Sequence, residues 1–141
     1  MEGEAHKDHI IVCGYGIVGE KIVDILLEHK IDVVVIESDH KKVEALRERG
    51  IATIEGDATS SKALKEAGIA NAKAIAIAMD DDAKNLFATI TAKSLNEEII
   101  IATRANDELF ETKLIDAGAK FVATPNKSAS DELFNEIVKG L

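Results

Sequence analysis

The stretch Ile10-Ile-Val-Cys-Gly-Tyr-Gly-Ile-Val-Gly19, with Glu37 closing the next apolar run, decides the fold. Three β-branched residues and Cys13 lead straight into Gly14-Tyr15-Gly16-Ile17-Val18-Gly19, and helical periodicity starts at Ile17. In a strand–turn–helix of this pattern the first glycine makes the tight turn. The second lets a pyrophosphate approach the backbone, and the third lets helix and strand pack closely. The helix start offers free N–H groups and the positive end of its dipole to phosphate. Tyr15, Ile17 and Val18, which fill the loop, belong to the same candidate site.

Working outward, Glu37 stands 23 residues after Gly14. That is near the roughly 20-residue offset at which an acid holds ribose hydroxyls. Ser38 follows it, then Asp39, His40, Lys41 and Lys42. With an acid where a 2′-phosphate would have to be accepted, NAD, ATP, ADP or AMP fit better than NADP. The third apolar run enters Gly56-Asp57-Ala58-Thr59, an acid, a small residue and a hydroxyl where an adenosine would extend. Asp57 reads either as a ligand to the adenosine or as a helix-capping carboxylate. The fourth run ends at Ala78-Met79-Asp80-Asp81-Asp82, with Asn85 one turn later, bordering the same crevice. Three consecutive acids complement a helix dipole, and near a nucleotide they are also the oxygen ligands that Mg²⁺ or Ca²⁺ takes. Arg104, after the fifth run, either meets a phosphate or pairs with one of these acids.

Short β-branched runs at 9–13, 32–37, 52–55, 73–78, 98–103 and 120–124 alternate with helical patterns at 17–29, 40–49, 60–67, 82–96, 107–117 and 128–138. That alternation specifies βαβ units, and continuous apolar strands suit a parallel sheet covered on both faces. Right-handed crossovers then predict a Rossmann-type, doubly wound α/β fold, a six-stranded parallel sheet in the order 3-2-1-4-5-6 with helices on both faces. Val18, Ile22, Ile25 and Leu26 form the expected inward stripe of the first helix. Ser60 or Thr59 and Asp107 are the expected N-caps, and Pro125 is expected in the turn after the last strand. Residues 1–8 read as a flexible segment, with His6 and His9 in a frayed end, and 9–141 as one domain.

The chain has 141 residues, a formal charge of −9, 46% apolar and 4% aromatic residues. So acidic a chain lacks the clustered cations that a nucleic acid would need. No apolar run approaches the roughly 20 residues of a bilayer span, and the charged N-terminus is unlike a signal peptide, which together predict a cytoplasmic location. The lone Cys13 reads as a small buried core residue without redox chemistry.

The glycine loop, Val33-Val-Val-Ile-Glu37, Glu55-Gly-Asp-Ala-Thr59, Leu64-Lys-Glu-Ala-Gly-Ile-Ala-Asn-Ala72, Asp82 with Asn85, Thr103-Arg104 and Ala117-Gly-Ala-Lys-Phe-Val-Ala-Thr-Pro125 together resemble the N-terminal domain of the RCK family, also called KTN or Trk-type NAD-binding domains. The resemblance implies a cytoplasmic domain that binds NAD(H) or an adenosine phosphate. It implies a dimer or ring, and a partner that is a membrane-embedded potassium channel or transporter at the inner face of the membrane. It also implies that Gly14, Gly16 and Gly19 carry phosphates, that Glu37 carries ribose, and that Asp57 approaches adenine or its ribose. Many members place arginine where this chain has Ile17.

The expected role is ligand sensing and not catalysis, because no His, Lys, Tyr or Cys falls in a catalytic place at the sheet edge. The alternatives are a small NAD-dependent oxidoreductase subunit and a structural module with an empty pocket. Leu133, Phe134, Ile137 and Val138 give the last helix an apolar stripe, either to cross to a neighbour or to pack on its own sheet.

Overall fold

The structure is a computed structural model and describes residues 6–141. Strands β1 (Ile10–Cys13), β2 (Val33–Glu37), β3 (Ala52–Glu55), β4 (Ala74–Ile77), β5 (Ile100–Arg104) and β6 (Phe121–Ala123) alternate with helices α1 (Ile17–Glu28), α2 (His40–Glu48), α3 (Ser61–Glu66), α4 (Asp82–Leu95), α5 (Phe110–Asp116) and α6 (Pro125–Lys139). A 3₁₀ turn at Ile69–Asn71 precedes β4. The six strands are all parallel, in the order β3-β2-β1-β4-β5-β6. Successive strands are added outward in opposite directions from the β1–β4 pair, so the glycine loop opens at the switch point.

Two clusters hold the layers together. On one face Ile11, Val34, Ile75, Ile77 and Ile101 pack against Leu64, Ala88, Ala92 and Leu114. On the other, Val12, Val33 and Val35 pack against Val23 and Leu46. Each fully buried Val, Leu or Ile among them contributes about 1.5–3 kcal/mol, which explains why strands buried on both sides read as unbroken apolar runs.

The second face is only half covered. Along β5 and β6 the alternate residues Ile100 and Phe121 are 44% and 62% exposed, beside the half-buried Ala74, Ala76, Ala102 and Ala123. A sixth helix folding back would cover this strip. Instead no residue of α6 is buried, and Leu133, Phe134 and Ile137 are each more than 60% exposed.

Several local expectations change. Pro125 opens α6 and does not sit in a turn before it, because proline's fixed φ and missing N–H suit a first helical position. The inward face of α1 is Gly19, Ile22, Val23 and Leu26, while Val18 and Ile25 are exposed. Ser60 caps α3, but α5 begins at Phe110, and Asp107 instead accepts from the Leu109 N–H in a preceding turn. The expectation of a flexible 1–8 segment lies outside the described residues for 1–5. Asp8 donates its N–H to the Asn71 carbonyl at 2.8 Å. His9 is no frayed residue: it is fully buried, with Nε2 2.8 Å from the Ala67 carbonyl.

Candidate functional site

At the carboxyl ends of the strands, the loops after β1, β2, β3 and β4 enclose a crevice of about 260 Å³. Its floor is Gly14, Tyr15 and Gly16. One wall is Ile36, Glu37, Ser38, Lys42, Gly56, Asp57 and Ala58, and the other is Met79, Asp80, Asp81 and Lys84.

The three glycines answer to different constraints. Gly14 has φ +93°, and a Cβ there would meet Met79 Cγ at 3.1 Å and the Ala78 carbonyl at 3.2 Å. A Cβ on Gly19 would come within 1.8 Å of the Gly14 carbonyl oxygen, so this residue is fixed by helix-to-loop packing. Gly16 is different: its φ is −86° and a Cβ would find nothing within 4 Å. No packing constraint in the chain demands glycine there, yet it borders the crevice at the N-terminus of α1.

Glu37, 9% exposed, uses both oxygens on backbone. Oε1 accepts from the Tyr15 N–H at 2.8 Å and Oε2 from the Asp39 N–H at 2.7 Å. Each carboxylate oxygen keeps further acceptor capacity toward the crevice. Asp57 forms a turn in which Oδ1 accepts from the Thr59 N–H at 2.9 Å and hydroxyl at 2.8 Å, and those two bonds hold its carboxyl below the ordinary range. The Tyr15 hydroxyl accepts from Arg49, which also donates to Asp24 at 2.9 Å, and burial keeps the phenol above its usual value.

The sequence-derived residues divide by position. Gly14, Tyr15, Gly16, Glu37, Ser38, Asp57, Ala58, Met79 and Asp80 meet around the crevice; Ile17, Val18, Gly19, Thr59, Ala78, Asn85 and Arg104 do not line it. Asn85 is fully buried, and its amide accepts from the Met79 N–H and donates to the carbonyls of Met79 and Arg104 at 2.9 and 3.0 Å. It ties the ends of β4 and β5 together beneath the wall. Arg104 lies 3.6 Å from Asp80 Oδ1 and donates to Asn106 Oδ1 at 2.5 Å, while its buried Nε has no partner among the described residues. Ile17 is 80% exposed beyond the crevice.

Gly56 and Asp81, in segments that the sequence places at the crevice, also line it, whereas sequence reasoning missed Ile36, Lys42 and Lys84. Lys42 and Lys84 stand in the first turns of α2 and α4, three residues past the capping acids Asp39 and Asp81. A first-turn residue beside a crevice was the available signal. Asp81 accepts from the Lys84 N–H, and Asp82 accepts from the N–H groups of Asn106 and Asp107 at 2.7 and 2.9 Å. The acidic run therefore serves α4 and the β5 loop. Among the described residues, no three His, Cys, Asp or Glu side chains gather as a metal-binding group. Cys13 is fully buried, which pushes its thiol up to about 12.

The TrkA-N domain family profile matches residues 10–125. Potassium channel protein 1 of Methanocaldococcus jannaschii is 39% identical over 121 residues, which are 84% of this chain and 36% of that protein. The chain thus spans about a third of that relative's length. The crystal structure of the TrkA-N domain of the Escherichia coli inner membrane protein YbaL superposes with a TM-score of 0.89 at 25% identity, covering 92% of this chain and 96% of that one. The GsuK channel bound to NAD shares the fold, with a TM-score of 0.76 at 22% identity over 84% of this chain and 21% of that one. No helix among the described residues is long and apolar enough to cross a membrane.

Proposed function

The chain belongs to the TrkA-N domain family, and from that premise we propose that it is a regulatory domain that binds NAD(H) or an adenosine phosphate. The observation that carries this reading is Gly16, a glycine that no packing constraint in the chain demands, at the one place where a phosphate would touch backbone. Adenosine would extend over Ala58, its ribose hydroxyls donating to Glu37 and Asp57, while the phosphates lie over Gly16 at the start of α1. A dinucleotide's second riboside would run past Met79 and Asp80.

The role is binding and not catalysis. The crevice lining holds no histidine or cysteine, its tyrosine hydroxyl is engaged by Arg49, and the two lysines that do line it, Lys42 and Lys84, are exposed and solvated. A nucleotide regulates when it binds two conformations with different affinity and shifts their balance. The second conformation resides in a dimer or ring, assembled through α6 and the bare strip of β4–β6. Apolar residues stand exposed on both surfaces, and α6 leaves its own sheet uncovered. The regulated partner is a potassium channel or Trk-type uptake system at the inner face of the cell membrane, a reading supported by the likeness to potassium channel protein 1.

Thermal unfolding with NAD⁺, NADH, ATP, ADP and AMP, combined with sedimentation velocity, tests this. A nucleotide present at 100 times its Kd adds about 2.7 kcal/mol of stability, which shifts Tm by several degrees. No shift with any of the five would leave a structural module. A strictly monomeric profile, with and without nucleotide, would remove the assembly.

A further inference from the structure

Six charged side chains line the crevice, and their arrangement limits the ligand further. Glu37 and Asp57 on the β2–β3 wall and Asp80 and Asp81 on the β4–α4 wall bring four negative charges; Lys42 on the first wall and Lys84 on the second bring two positive. Both lysines are exposed, and among the described residues neither ammonium has a carboxylate within ion-pair distance. The Asp57 carboxyl is held low first by its hydrogen bonds from Thr59, and the Lys84 charge across the crevice adds the smallest of the influences on it.

Among the described residues no other cation lines the crevice. Arg104 is turned to Asp80 and Asn106. Beyond Gly16, the first turn of α1 offers the exposed Ile17, then Val18 and the acidic Glu20. A phosphate chain that begins over Gly16 and grows along α1 therefore leaves the crevice that both lysines line and meets an apolar and then an acidic surface.

We propose that Lys84 sets the number of phosphates the crevice accepts: with Lys42 on the opposite wall it matches a diphosphate, and a third phosphate is rejected. This rests on the nucleotide reading above. The favoured ligands are those with one pyrophosphate, ADP or a dinucleotide, and ATP is disfavoured because its extra charge finds carboxylates and no cation.

Calorimetric titration with AMP, ADP, NAD⁺ and ATP, in chelator to exclude divalent cations, reads this directly. The expected result is ADP and NAD⁺ binding at least about tenfold tighter than ATP. Lys84→Ala weakens ADP and NAD⁺ about tenfold but AMP less than about threefold, Lys84→Arg keeps most of the affinity, and Ile17→Arg brings ATP up toward ADP. Lys84 is exposed, so circular dichroism and Tm of these variants should match the wild type. ATP binding the wild type as tightly as ADP, or Lys84→Ala leaving ADP unchanged, overturns the phosphate limit alone. Failure of all four nucleotides to bind overturns the nucleotide reading itself.

Discussion

Glu37 holds Tyr15: the carboxylate that ends β2 accepts a 2.8 Å hydrogen bond from the backbone N–H in the middle of the glycine loop, 22 residues earlier in the chain. The acid that would carry ribose is therefore also the brace of the phosphate loop. Glu37→Gln replaces one acceptor oxygen by an NH₂ group, which faces either the Tyr15 or the Asp39 N–H and leaves that donor unpaired. The variant should lose about 1–3 kcal/mol in urea unfolding with no nucleotide present. A stability equal to wild type would mean that the acid does not brace the loop.

The three glycines should separate by experiment. Gly19→Ala places a methyl group 1.8 Å from the Gly14 carbonyl oxygen and should destabilise by about 3 kcal/mol or more. Gly16→Ala meets no protein atom and should stay within about 0.5–1 kcal/mol of wild type, yet lose nucleotide affinity. Equal losses of stability at both positions would make the loop a packing motif only.

His40 sits between Glu55, 2.9 Å from Nδ1, and Glu44, 2.8 Å from Nε2, and the hydrogen bond to Glu55 is the largest cause of its raised pKa. Because the folded value lies above the ordinary 6.5, the cluster stabilises the fold below about that pH. The contribution is lost as pH rises through the raised value. In an NMR titration the His40 midpoint should exceed 6.5 and fall in Glu55→Gln; an unmoved midpoint would show that solvent screens the pair completely.

The strand order and the three-glycine loop were legible because strands buried on both faces must be apolar throughout, and because the glycine positions follow from backbone geometry. Direction was not legible. Spacing puts Asn85 and Arg104 at the right edge of the sheet, but nothing in spacing says that Asn85 turns down to the Met79 and Arg104 backbone or that Arg104 turns to Asp80. Lys42 and Lys84 were missed for the complementary reason: long solvated side chains in first turns look like any surface charge until the opposite wall is known. The bare strip on β5 and β6 was hidden because an apolar Phe121 reads as core whether or not a helix covers it.

The most direct test of the central claim is calorimetric titration of NAD⁺ and ADP into the wild-type chain and into Gly16→Asp. A Cβ at this position meets nothing within 4 Å, and the aspartate places a carboxylate where the phosphates would lie. Saturable binding to the wild type, with an unchanged fold and lost affinity in the variant, is the predicted result. Equal affinity in both would contradict a phosphate site at this loop.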